Sequence, residues 1–98
     1  MTREVSLLVN DQPITLDYFV QGFIDHTVSG MLASLEGVGT IQRAEVSIEG
    51  DNVTVNLNGA HLPTKPFVSK IIKNTTLGMV SPLKGVGEVG SLKVTIQR

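Results

Sequence analysis

The chain has no cysteine and no tryptophan, and its aromatics amount to three phenylalanines and one tyrosine. Without cysteine there are no disulfides and no thiolate nucleophile, and thiolate-based zinc sites are excluded. No apolar run approaches the roughly 18 residues of a membrane-spanning helix, so no membrane partner is expected. Met1-Thr2-Arg3-Glu4 leads directly into a strand-like run and lacks the longer apolar stretch of a secretory signal. A cytoplasmic location is the resulting expectation. Excess charge is also missing, since the formal net charge is −1. What is present, 98 residues of which 41% are apolar, suits one domain over residues 1–98. A chain of this size supports a single modest core.

The chain repeats itself. Shifted by 48 positions, residues 5–50 overlie residues 53–98 without a gap, and 14 of the 46 pairs are identical. Phe19/Phe67, Val20/Val68, Ile24/Ile72, Thr27/Thr75, Gly30/Gly78 and Met31/Met79 are among them, as are Asn10/Asn58 and Gly37-Val38-Gly39 over Gly85-Val86-Gly87. A fixed period of this kind points to one unit duplicated and fused. The charges are divided unevenly between the halves. Residues 1–48 hold two basic and six acidic residues, a net of −4, and residues 49–98 hold six basic and three acidic, a net of +3. Asp17 overlies Lys65, Asp25 overlies Lys73, and Glu36 overlies Lys84.

Alternation of apolar and polar residues marks strands at Val5–Val9, Ala44–Glu49, Val53–Asn58 and Leu92–Gln97. Asn10-Asp11 and Asn58-Gly59 signal tight hairpin turns, because these residues accept positive φ. Asp17 is placed to cap a first helix, and Pro66 suits the first position of a second. On the first helix Val20, Phe23, Ile24, Thr27, Met31, Ser34 and Leu35 share one face, with Gln21, Asp25, Ser29 and Glu36 opposite. Gly37 and Gly85 read as left-handed helix stops. The expected fold is α+β: a ferredoxin-like βαββαβ domain made of two tandem 48-residue units, with a four-stranded antiparallel sheet and two helices on one face. The competing topology is two ββαβ units, with the hairpin arms in the sheet or exchanged between chains.

No Ser-His-Asp, paired-carboxylate or metal-ligand arrangement emerges, so no catalytic residue, metal or cofactor is expected. The glycine pairs follow a helix, whereas phosphate loops precede one. The open sheet face would present Leu8, Asn10, Thr54 and Asn56 where an RNA-recognition sheet stacks bases on aromatics, so nucleic acid is not an expected partner. His26 lies mid-helix over Asn74. With Thr27 and Thr75 these residues form a candidate ligand-binding set in a polar pocket between the helices. The helix-interior Gly30 and Gly78 then suggest that the helices approach closely. Leu32, Leu77 and Val80 fall 120–180° from the centre of the expected buried stripe, and Leu8 points to the open sheet face. These four form a candidate interface. The resulting expectation is a non-catalytic, self-associating assembly module. The alternative is a regulatory domain that binds a small ligand between the helices or at a subunit interface.

Overall fold

The computed structural model describes residues 4–35 and 37–98. The expected Glu36/Lys84 charge inversion therefore lies outside the described residues. The elements are β1 (Glu4–Val9), β2 (Gln12–Pro13), α1 (Tyr18–Ala33), β3 (Arg43–Glu49), β4 (Asn52–Leu57), β5 (Ala60–Leu62), α2 (Pro66–Val80) and β6 (Ser91–Gln97). The fold is α+β, with two helices and one antiparallel sheet of six strands in the order β2-β1-β6-β3-β4-β5. The sheet has six strands rather than four because both hairpin arms pair within their own chain. Asn10 and Asp11 take φ of 51° and 65°, and Asn58 and Gly59 take 51° and 83°. Two successive positive φ values make the turn whose twist matches that of the flanking strands. Both edge strands are short, and Pro13 sits in β2. Short edges and proline discourage pairing with another chain.

The sheet register aligns the apolar residues into cross-strand rows on one face. Leu7, Val94, Val46 and Val55 form one row; Val9, Leu92, Ile48 and Val53 form a second; Val5, Ile96, Ala44 and Leu57 form the third. These are the twelve residues that alternation places on the core side, and nine of them are buried. Ile24, Val28 and Leu32 of α1 and Ile72 and Val80 of α2 join the same cluster, so both helices cover the same sheet face. Burying each such side chain is worth about 1.5–3 kcal/mol. Strands β1 and β3 are both antiparallel to β6, which lies between them. They are therefore parallel to each other, and by the same logic so are β4 and β6, which flank β3.

Asp17 caps α1, with its Oδ1 accepting a 2.8 Å hydrogen bond from the Val20 amide. Pro66 opens α2, whose preceding residue, Lys65, gives no side-chain cap. The helices end at Ala33 and Val80. The glycines Gly37 and Gly85, at φ of 85° and 88°, turn the loops that follow rather than the helix ends themselves.

The two turn asparagines also act across the sheet. Asn10 Oδ1 accepts from the amides of Gly90 (2.7 Å) and Ser91 (3.0 Å), and its Nδ2 donates to Glu88 O (2.8 Å). Asn58 Oδ1 accepts from the amides of Gln42 (2.8 Å) and Arg43 (3.0 Å), and its Nδ2 donates to Thr40 O (2.8 Å). Each asparagine thus fixes the start of the strand beside its own hairpin, β6 for Asn10 and β3 for Asn58. Asn58→Ala removes three hydrogen bonds and forces alanine into the left-handed region. The expected loss is about 2 kcal/mol, since each net bond is worth roughly 0.5–1.5 kcal/mol and exposure reduces that. Asn58→Asp keeps the acceptor oxygens and should lose less. Urea unfolding of the two variants checks the order, and equal midpoints would contradict it.

Candidate functional site

Helix α1 does not bury the face that its apolar residues suggest. Its buried residues are Ile24, Asp25, Val28, Ser29 and Leu32. The observed stripe is rotated from the expected one by about 100°, the angle of one residue. Two polar positions therefore turn inward. Asp25 Oδ1 receives Arg98 Nη2 at 2.5 Å and Ser29 Oγ at 3.0 Å, and Arg98 Nη2 also reaches Ser29 Oγ at 2.9 Å. Arg98 follows β6 and reaches across to the helix, so a buried carboxylate is matched by a guanidinium from 73 positions away. A buried charge is tolerable only with such a partner.

The second half carries the same kind of tie with its charges exchanged. Lys73 Nζ lies 2.5 Å from Asp51 Oδ1, joining α2 to the turn before β4. The hydrogen bond from Lys73, together with its positive charge, holds the Asp51 carboxyl below the usual aspartate range. Asp25 and Lys73, which overlie each other in the repeat, therefore have separate partners, Arg98 and Asp51. Each is paired within the chain with a strand-end residue.

The rotation corrects the expected placement of two interface candidates. Leu32 and Val80 are both 0% exposed and belong to the core. They lie beneath the helices because Ile24, Val28 and Leu32, spaced four apart, form the buried ridge of α1, and Ile72, Thr76 and Val80 form that of α2. Leu77 is partly buried against the core, and Leu8 is half-buried on the open sheet face. Gly30 and Gly78 are exposed, and a Cβ at either would meet nothing within 4 Å. They serve no close approach between α1 and α2.

The same rotation turns the aromatics outward. All four aromatic side chains of the protein are exposed: Tyr18 at 83%, Phe19 at 74%, Phe23 at 52% and Phe67 at 73%. Ile71, the counterpart of Phe23, is 44% exposed. The Phe19 and Phe23 rings meet at a tilt of 46° with 6.1 Å between centroids. Tyr18, Phe19, Gly22, Phe23, His26 and Thr27 line an open groove of about 640 Å³ along α1. Phe67, Lys70, Ile71, Asn74 and Thr75 line a smaller one of about 400 Å³ along α2. The candidate ligand residues therefore divide into two surface grooves: His26 and Thr27 lie on α1, Asn74 and Thr75 on α2.

The open face of the sheet is different. Ser6, Thr95, Glu45 and Asn56 form one row, and Leu8, Lys93, Ser47 and Thr54 another. Glu45 lies 3.4 Å from Lys93 and 3.6 Å from Arg43, so its charges are satisfied within the face. Among the described residues, no group of three or more His, Asp or Glu side chains is placed to hold a metal ion. No helix among them is long and apolar enough to cross a membrane.

The aromatic residues were missed as a site because Phe23 fits the expected core stripe. The signal that marks them is the pair Phe19/Phe67. It is identical in both halves, yet it lies one turn before the ridge that packs on the sheet. Compared with known proteins, the chain matches no family model, no curated protein and no solved structure.

Proposed function

We propose that the protein is a non-catalytic, cytoplasmic assembly module that self-associates through the outer face of its helical layer. The observation that carries this reading is the exposure of every aromatic residue, all on the two helices. Aromatics are enriched at interfaces and bury large apolar areas there. The shape agrees. The Cα envelope is a slab of 36 × 34 × 18 Å. Its accessible surface of 6141 Å² exceeds the ~5,400 Å² expected of a compact monomer of this mass. The exposed Gly30 and Gly78 add to this support. A helix-interior glycine costs about 1 kcal/mol relative to alanine, and in open space no contact within the chain offsets that.

A ferredoxin-like domain of two tandem ββαβ units is the architecture that best suits this role. In its support, the bounds of β4 and β6 are those of β1 and β3 moved on by 48 residues. The buried pairs Leu7/Val55, Ile24/Ile72, Leu32/Val80, Val46/Val94 and Ile48/Ile96 follow the same interval. A duplicated unit presents its outer helical face twice, and here both presentations are apolar.

Sedimentation velocity over a concentration series tests the proposal. The wild-type chain is expected to sediment as a discrete multiple of its 10.5 kDa mass. Phe19→Asp and Phe67→Asp are each expected to shift it to monomer with an unchanged circular dichroism spectrum. Both positions lie in a first helical turn, where an acidic residue favours the helix. A wild-type chain that stays monomeric at every concentration rules the proposal out. The α1 groove supports a second reading, a small-ligand site, because its volume lies within the 300–1,000 Å³ usual for such pockets. A ligand there would raise the melting temperature of the monomer, whereas self-association makes that temperature depend on protein concentration.

A further inference from the structure

Independently of how copies associate, we infer that the Asn58-Gly59 turn is a site of covalent self-modification that the native fold holds shut. When the chain unfolds, the Asn58 side chain cyclises onto the main chain and is hydrolysed; the folded turn withholds it. The sequence supplies the chemistry. An asparagine carboxamide is open to attack by the backbone nitrogen of the next residue, and Gly59 has no side chain to obstruct that approach. Asn58 is the one asparagine in the chain that precedes glycine. Both residues are exposed, so water reaches the turn and burial gives no protection.

The step needs water and no cofactor. The Gly59 nitrogen, having given its proton to hydroxide, bonds to Cγ of Asn58. The Cγ–Nδ2 bond breaks, and Nδ2 takes up a proton and leaves as ammonia. Water then opens the succinimide ring. Cleavage at Cγ gives aspartate. Cleavage at the Asn58 backbone carbonyl gives isoaspartate, whose main chain runs through Cβ and Cγ.

The folded structure blocks the first of these bonds in two ways. Asn58 Oδ1 accepts from the amides of Gln42 and Arg43 while Nδ2 donates to Thr40 O, so the carboxamide is fixed against residues 40–43. The positive φ of both turn residues is the left-handed pair of a two-residue hairpin, which the pairing of Leu57 with Ala60 closes. Ring closure needs the peptide after Asn58 rotated out of this turn, with its nitrogen facing Cγ. The turn must therefore open first. Asn10 is held in the same manner by Glu88, Gly90 and Ser91, but the Asp11 side chain obstructs attack even in an open chain. Isoaspartate at position 58 lengthens the main chain inside the turn and removes the donor to Thr40, so β3 loses its anchor. A chain that has spent time unfolded is marked and refolds to a weaker structure.

Peptide mapping by mass spectrometry, on protein kept at mildly alkaline pH in native buffer and in guanidinium chloride, reads the conversion. Asn58 is expected to convert at least about tenfold faster in the unfolded chain than in the folded one, the effect of a turn that must open against its hydrogen bonds. It is also expected to convert ahead of Asn10. After removal of denaturant, the converted fraction should unfold at a lower denaturant midpoint than fresh wild type and than Asn58→Asp, which carries the acid without the added main-chain carbon. Equal rates in native buffer and in denaturant would overturn the protection. A converted chain with the wild-type midpoint would overturn the consequence, and Asn10 keeping pace with Asn58 in denaturant would remove the role of Gly59.

Discussion

Leu32→Glu is expected to leave no folded protein at neutral pH. Leu32 is 0% exposed and belongs to the core cluster that α1 shares with the sheet. Truncating such a leucine to alanine costs about 2–5 kcal/mol in lost transfer energy and cavity formation. Glutamate adds the cost of an ionised carboxylate in a site with no cation, which is several kcal/mol more. A domain of this size has a total stability of roughly 5–15 kcal/mol, so the two costs together exhaust it. Far-UV circular dichroism and urea unfolding decide the matter, with Leu32→Ala as the graded comparison. The opposite outcome, a folded but dissociated Leu32→Glu chain, would return Leu32 to the surface and overturn the rotation of α1 described above. Phe19→Asp, on the outer face of the same helix, should keep the fold.

Arg98→Ala is expected to cost about 2–3 kcal/mol. Removing one partner of a buried ion pair costs about 3–5 kcal/mol, because the remaining charge stays desolvated. The Arg98 side chain is 36% exposed while that of Asp25 is 4% exposed, so solvent reduces the figure toward the lower end. In an Asp25→Asn background the same substitution should cost less than about 1 kcal/mol, because no buried charge is left behind. Chemical denaturation of the four chains gives the coupling directly. Equal costs in both backgrounds would mean that Arg98 stabilises the fold by packing its stem rather than by matching Asp25.

These two experiments bear on the part of the fold that local sequence patterns do not encode. The strands are legible because their side chains alternate with period two, and one face is apolar at every step from Leu7 to Val9 and from Ala44 to Ile48. The hairpin turns are legible because Asn10-Asp11 and Asn58-Gly59 accept the positive φ that such turns require. The pairing of both arms into a sheet of six strands depends on what their edges meet, which local pattern does not fix. The face of α1 is illegible for a different reason. Apolar residues surround much of that helix, and a stripe through Val20, Phe23, Thr27 and Met31 competes with one through Ile24, Val28 and Leu32. The second stripe brings Asp25 and Ser29 inward with it, and the Arg98 guanidinium meets both. A helix considered alone contains no trace of that partner. The candidate site was therefore half visible. His26, Thr27, Asn74 and Thr75 do lie in grooves on the outer helical face, but Phe23 fits the expected core stripe, and nothing in the local pattern marks Tyr18, Phe19 and Phe67 as the grooves' other aromatics.

The interleaved order β1-β6-β3-β4 has a consequence for how the chain folds. The first half contributes β1 and β3, which do not touch, because a strand of the second half lies between them. The second half contributes β4 and β6, separated in the same way by β3. Neither half owns a pair of adjacent long strands, so neither can build its native sheet without the other. The β3–β4 hairpin forms locally, but pairing β6 with β1 and β3 slows folding, because the chain must first close long loops. A chain cut at the Gly50-Asp51 turn would yield two fragments that stay unfolded singly and become ordered only on meeting, at a rate set by their concentrations.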